Sequence, residues 1–224
     1  MTSEAQQATI ILASGSPRRQ QFLRELGLDF RIVVADIDET PYPNEHPPAL
    51  AQRLAEAKAR AVAQRLEPLD LEPARSAVII AADTVVALGE ELLGKPGDAA
   101  EATQMLLQLQ NKTHMVHSSV SLLDTRSGRQ ATRVNSTQVQ MRNYTADELR
   151  AYVASGDPLD KAGAYAIQHP TFAPVCALQG CVSGVIGLPL ADLRELLATF
   201  DIKIRTPLPP ICEQQTIFAC CQVR

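Results

Sequence analysis

Nowhere among the 224 residues is there a run of roughly 20 apolar residues, the length a helix needs to cross a bilayer, so a helical membrane span is excluded. An excess of positive charge is also lacking. The 21 Lys and Arg against 25 Asp and Glu leave a formal net charge of −4, without the broad basic field that nucleic acid recruits. The 5 cysteines, at 176, 181, 212, 220 and 221, form no pair of CxxC motifs, and an odd number closes no complete disulfide set. They read as reduced thiols of a cytoplasmic protein. The opening MTSEAQQ has neither a charged n-region nor an apolar h-region, so no signal peptide is expected. No nucleophile elbow marks a serine hydrolase, and nothing beside Cys181 marks an activated thiolate. Among the histidines only His114-x-x-His117 approaches zinc spacing, and it falls in a β-rich run where such a pair is more often structural or exposed.

What is present is an apolar fraction of 46% and a charged fraction of 21%, ordinary for a soluble globular protein. Helical and strand patterns alternate along the chain, which argues for an α/β fold with a sheet flanked by helices. Helices are expected over about 17–26, 48–65, 99–109, 146–154 and 190–200, and strands over 9–13, 30–35, 77–82, 113–123 and 129–140. Asp98 is a fair N-cap, and Thr145 with Glu148 forms a capping box. Proline-bearing loops are expected at 41–48 and 67–76. One domain is expected over 1–205, with a poorly packed tail over 206–224.

The first strand runs into a polar loop, Ser14-Gly15-Ser16, and Pro17 then opens a helix with Arg18 and Arg19 in its first turn. Cations are disfavoured at that end of a helix by roughly 0.3–1 kcal/mol each, while its free N–H groups attract anions. A phosphate docked on the loop reconciles the two, although an ordinary solvated helix start carries the same residues. Asp83 follows six apolar residues at the expected carboxyl end of a central strand, where open α/β sheets place ligands. A charge there must be paired, bound to metal or kept for proton transfer. Asp36, Asp38 and Glu39 form a second acidic group able to offer oxygens to Mg²⁺ or Mn²⁺.

Gly89–Lys95 imitates the start of a P-loop, but Pro96 stands where Ser or Thr should hold Mg²⁺, and glutamates occupy the loop interior. A turn followed by an exposed lysine is the better reading, with Lys95 as a single charge for phosphate. In SGDPLDKAGAYAIQ, at 155–168, the small residues 162–164 allow close backbone approach. Lys161 adds charge, and Gln168 adds an amide able to meet one edge of a nucleobase.

The segments LASGSPRR (12–19), AADTVV (81–86), LGKP (93–96), DKAGAYAIQ (160–168) and VIGLPL (185–190) together resemble the Maf family of nucleoside triphosphate pyrophosphatases, also called septum-formation inhibitors. The resemblance spans about 9–200. It implies an α/β fold related to inosine triphosphate pyrophosphatase, a homodimer, and hydrolysis of a nucleoside triphosphate to monophosphate and pyrophosphate with a divalent metal. It assigns Asp83 as proton acceptor, Arg18, Thr84 and Gln168 to base selectivity, and Ser14, Arg19, Glu39, Lys58, Lys95 and Lys161 to the cleft. Lys161 and Gln168 resemble the branch acting on dTTP and UTP rather than that acting on 7-methyl-GTP. Glu39 and Asp83 are the expected metal ligands. The glycine-rich continuation usual after Gln168 is replaced here by His169-Pro170, which is expected to reshape the pocket rim. A non-catalytic nucleotide-binding regulator of division is the alternative from another class.

Overall fold

The computed structural model describes residues 9–66 and 77–220. The proline-bearing loop expected at 67–76, the N-terminal segment and Cys221 lie outside the described residues. The order of elements is β1 (Thr9–Leu12), α1 (Pro17–Glu25), β2 (Phe30–Ile32), α2 (Pro47–Arg65), β3 (Ala77–Leu88), β4 (Glu91–Leu93), α3 (Ala99–Leu109), β5 (Thr113–Asp124), β6 (Gln130–Met141), α4 (Ala146–Ala154), β7 (Val175–Gln179), α5 (Val182–Ile186), α6 (Leu190–Thr199) and α7 (Leu208–Glu213). Two 3₁₀ turns, Asp157–Asp160 and Ala162–Ala164, lie between α4 and β7. The strands form one mixed sheet in the order β2-β1-β3-β5-β6-β7, with β4 also paired to β3. β1 runs parallel to β2 and β3, while the pairings from β3 through β5 and β6 to β7 are antiparallel. This is the α/β architecture expected from the alternation of patterns.

β3 organises the sheet. Its sequence AVIIAADTVVAL is apolar almost throughout, as a strand covered on both faces requires. Successive side chains alternate between faces. Ala77, Ile79 and Ala81 pack with Ala59 and Val62 of α2, and Val85 packs with Leu50, Ala51 and Leu54. Val78, Ile80, Ala82 and Val86 join the larger core built with α1, α3, α4 and α6. The strand was expected to stop at residue 82, but it runs straight through Asp83 to Leu88, because β5 pairs with it continuously from Val78 to Ala87. Asp83 is therefore a mid-strand residue, not a strand end.

The other edge of β3 is interrupted. β1 pairs with it only as far as Ile80, the residue whose carbonyl also accepts from Ala13 N, and β4 begins at Val86. Between those points that edge of β3 has no strand beside it among the described residues. The short β1 also shortens its outer neighbour. β2 ends at Ile32 rather than at residue 35, and Ile32 and Val34 lie exposed on the sheet edge.

Local signals held at α3 and α4. Asp98 accepts from Glu101 N, and Thr145 and Glu148 complete a reciprocal capping box. Ser16 occupies the N-cap position of α1, but its side chain makes no capping bond.

The segment after residue 205 departs from expectation. Leu208, Ile211, Cys212 and Cys220 are buried in the main core, with Phe218 packed against it. The prolines that suggest a loose tail instead open α7, where Pro209 and Pro210 occupy first-turn positions that need no N–H partner. Tyr144 is tied to the end of α3, its hydroxyl donating to the Leu106 carbonyl and its own carbonyl accepting from Gln110 Nε2.

The His114-x-x-His117 pair forms no metal site. The His114 Nε2 pairs with the Tyr165 hydroxyl at 2.7 Å and the His117 Nδ1 with the Ser136 hydroxyl at 2.7 Å, as befits residues three apart on a strand, which point to opposite faces. No group of three metal-ligating side chains occurs among the described residues. No helix among them is long and apolar enough to cross a membrane.

Two measurements follow from this packing. Leu208→Ala should lower the free energy of unfolding by about 2–5 kcal/mol in denaturant titration, the range for truncating a buried leucine; a loosely packed tail would give less than ~0.5 kcal/mol. Burial lowers the His114 pKa from its ordinary 6.5 to about 4. The unfolded chain thus takes up a proton that the folded chain refuses. Stability should fall by about 3 kcal/mol as the pH drops from 6.5 toward 4, with no loss from this group above 6.5. In His114→Gln that part of the acid limb should disappear.

Candidate active site

The interruption beside β3 opens into a cleft of about 420 Å³, bounded by the loop and first turn of α1, by Lys95 after β4, by Lys161–Gln168 and by Val185–Gly187. An adjoining cavity of about 350 Å³ contains Asp83 and shares Arg19, Glu39, Lys58, Thr84 and Lys95 with the first. Strand alternation explains the division. Asp83 points to the α2 face of the sheet and Thr84 to the opposite one, so a single pair of neighbours serves both compartments.

On the α2 side, Leu54, Lys58 and Val62 are spaced by one helical turn and face the sheet together. Small neighbours such as Ala55 and Ala59 let the helix approach β3 closely, and Lys58 is thereby aimed at Asp83. Its Nζ donates to Asp83 Oδ1 at 2.6 Å and reaches Glu39 Oε1 at 2.7 Å. Asp83 is only 6% exposed, and this pairing is what makes its burial tolerable. Asp83 Oδ2 has no hydrogen-bond partner among the described residues.

Glu39 is positioned from a distance by Arg53. The Arg53 guanidinium forks onto Glu45 at 2.6 and 2.7 Å, donates to the Thr40 carbonyl at 3.0 Å, and lies 3.9 Å over the Tyr42 ring. The loop carrying Glu39 is so pinned to α2. Burial pushes the Glu39 carboxyl up, but Lys58, followed by Lys95 and Arg19, outweighs it and holds the group below its ordinary value. The other two carboxylates of that acidic run do not join the cluster. Asp38 accepts from Thr40 N at 2.9 Å, and both Asp36 and Asp38 are exposed.

On the α1 side, Ser14 Oγ accepts from Ser16 N at 3.2 Å and from Arg19 Nη1 at 3.2 Å, while Arg19 Nε donates to the Gly187 carbonyl at 2.9 Å. Arg19 therefore ties the loop to the end of α5. Burial lowers its pKa, opposed by Asp83 and Glu39 and reinforced by Arg18, yet a guanidinium keeps its charge throughout the useful pH range. With no side-chain cap and no acidic residue in its first turn, the N-terminus of α1 presents free amides and two arginines to the cleft.

Thr84 is held by a chain of hydroxyls. Ser118 Oγ donates to the Gly184 carbonyl at 2.6 Å, so the 2.9 Å contact between Thr84 and Ser118 uses the Thr84 proton. The segment 155–168 crosses β3 at Gly163, where φ is +69° and an added Cβ would stand 2.9 Å from Val86 Cγ1. Gly163 N donates to the Gly94 carbonyl at 3.0 Å. The small residues at 162–164 thus serve the close approach expected of them. Tyr152 fastens the same segment, its hydroxyl donating to Asp157 and accepting from Ala166 N.

Two residues behave differently from expectation. Lys161 lines the cleft, but its Nζ is held by the Asp157 carbonyl at 2.5 Å, Asp157 Oδ1 at 3.0 Å and Asp160 Oδ1 at 2.5 Å. Much of its charge is neutralised by its own loop. His169 does not reach the cleft. It turns onto the Tyr152 ring at 4.7 Å, and its Nδ1 accepts from Phe172 N at 3.0 Å. Residues that sequence reasoning passed over are Tyr165, which lines the cleft with its hydroxyl on His114, the Gly187 carbonyl, and Ser118. Tyr165 and Gly187 lie within motifs already singled out; Ser118 acts through contacts distant in sequence.

The family described as Maf-like protein matches residues 9–200. A dTTP/UTP pyrophosphatase of Myxococcus xanthus is 46% identical over 206 residues, covering 92% of this chain and 97% of its own. Those of Pelotomaculum thermopropionicum and Desulforamulus reducens are 43% and 40% identical over 195 and 196 residues, each covering 87% of this chain and 98% of its own. The segments that build the cleft, from the loop before α1 to the Gly187 turn after α5, all lie inside the matched span, and the chain belongs to the Maf-like protein family.

Proposed function

We propose that the protein is a nucleoside triphosphate pyrophosphatase that hydrolyses dTTP and UTP to the monophosphate and pyrophosphate. The observation that carries this reading is the meeting, at one gap in the sheet, of a buried carboxylate with a free oxygen and a cationic wall of Arg18, Arg19, Lys58 and Lys95. The names of the relatives supply the substrates.

In this mechanism the triphosphate lies against the α1 N-terminus and the cationic wall. Asp83 Oδ2 accepts a proton from water as its oxygen bonds to the α-phosphorus, and the bond from that phosphorus to the pyrophosphate oxygen breaks in line. Arg19, Lys58 and Lys95 offset the charge that builds on the leaving pyrophosphate. Lys58 also orients Asp83 before substrate arrives. Lys161, already paired, orders the 155–168 segment more than it adds charge. The base is directed to the compartment of Arg18, Thr84 and Gln168.

The donor set suits a divalent cation of the Mg²⁺ or Mn²⁺ type. Glu39 and Asp83 are brought together by their shared ion pairs to Lys58 Nζ, and such ions need only one or two protein carboxylates when phosphates and water complete the shell. When held by these carboxylates, the ion would acidify water and shield phosphate charge.

Incubation with a panel of nucleoside triphosphates plus Mg²⁺ or Mn²⁺ should release equal amounts of monophosphate and pyrophosphate, most readily from dTTP and UTP. Nucleotide binding without pyrophosphate release would favour a regulatory nucleotide sensor instead. Asp83→Asn should lower kcat by at least ~10²-fold, the scale of general base catalysis; near-normal turnover would remove Asp83 from that role. Arg18→Ala should alter the ratio of kcat/KM values between substrates, whereas Arg19→Ala should depress them all alike.

A further inference from the structure

The segment beyond the family-matched span reaches the base-reading side of the cleft. Gln168 Nε2 donates to Gln215 Oε1, and Gln215 lies just past the end of α7. That position is well supported. Gln215 N donates to the Cys212 carbonyl at 3.1 Å, and Leu208, Ile211 and Cys212 anchor α7 in the core, with Cys220 closing the segment behind it. On the other side, Phe172 N donates to His169 Nδ1 and fixes the turn that follows Gln168. Gln168 Oε1 has no partner among the described residues, and Gln168 lines the larger cleft.

An amide side chain has one acceptor end and one donor end, and which of them faces a ligand is decided by what holds the other. Here the donor end is held by Gln215, so the carbonyl end is left for the ligand. Uracil and thymine carry a hydrogen on N3, whereas cytosine has a lone pair there. An acceptor aimed at that position takes the N3–H of the first two and is repelled by the third. We propose that Gln215 is a positioning residue which, by accepting from Gln168 Nε2, presents the Gln168 carbonyl oxygen to the pyrimidine and so sets the preference for uracil and thymine over cytosine. This rests on the pyrophosphatase reading above only in naming the nucleotides; the contact between Gln168 and Gln215 does not depend on it.

The test uses the full chain and two variants. Gln215→Ala removes the acceptor and frees the Gln168 amide to turn. Gln215→Glu keeps an acceptor and cannot donate. Binding of UMP and CMP by calorimetry, and kcat/KM for UTP and CTP, give a uracil-to-cytosine ratio in each protein. The proposal expects that ratio to fall about 10-fold in Gln215→Ala, the scale of one hydrogen bond, and to stay within about 3-fold of wild type in Gln215→Glu. An unchanged ratio in Gln215→Ala overturns it, as does a fall in Gln215→Glu equal to that in Gln215→Ala. A uniform loss for both nucleotides also overturns it, since that is what a purely structural contact would produce. If wild type releases no pyrophosphate, the UMP and CMP ratios still decide the role of Gln215, while the enzymatic reading fails on its own.

Discussion

Between Ile80, where β1 stops, and Val86, where β4 starts, one edge of β3 runs without a neighbour, and the rest of the site depends on that gap. A central strand can tolerate it because β5 satisfies the opposite edge along nearly the whole length. The loop before α1, the Gly163 crossing and the Gly187 turn surround the opening, so both faces of the sheet communicate there. Asp83 and Thr84, adjacent in sequence, thereby point to opposite faces of the sheet beside the two adjoining cavities. The alternation that normally separates core from solvent here turns two neighbouring polar side chains to opposite sides of one opening.

The electrostatics of the gap form a closed set. Lys58 bridges Asp83 and Glu39, Arg19 lies close enough to both carboxylates to feel them, and Lys95 contributes to holding Glu39 ionised. A buried carboxylate without such a partner would protonate or destabilise the fold. The same cations that make Asp83 bearable in the folded chain are suited to a polyphosphate, so stability and chemistry ask for the same residues. Their positions are set by the surrounding packing and hydrogen bonds: small residues on α2, the Arg53 clamp on the loop of Glu39, and the Gly187 carbonyl that receives Arg19.

The second compartment is built from longer-range parts. Thr84 is oriented through Ser118 and the Gly184 carbonyl, Tyr165 through His114, and Gln168 through Gln215. Each cleft residue there rests on a partner behind it, drawn from β5, α5 or the segment after α6. The His169-Pro170 pair, which replaces a glycine-rich run, is absorbed into this support. Its histidine packs on Tyr152 and accepts a backbone N–H, so it faces the core side of the segment and not the cleft.

Much was legible from residues alone. The alternation of helix and strand patterns, the capping signals at Asp98 and Thr145, the failed P-loop at Gly89–Lys95 and the suspicion attached to Asp83 each follow from local chemistry, because each depends on neighbours a few positions away. The residue types of the site were legible too, since two arginines at a helix N-terminus and a carboxylate inside an apolar strand are locally unfavourable and so call for a partner. What required the tertiary structure was the identity of those partners. The extent of β3 past Asp83 is decided by β5, the shortness of β2 by the end of β1, and the neutralisation of Lys161 by the turn in which it sits. The order of the segment after residue 205 is decided by a core formed from residues far upstream, which no local pattern of prolines and cysteines can report. Sequence specified which groups could not stand alone; the fold decided which groups they stand beside, because burial and contact are properties of chain segments brought together and not of the segments themselves.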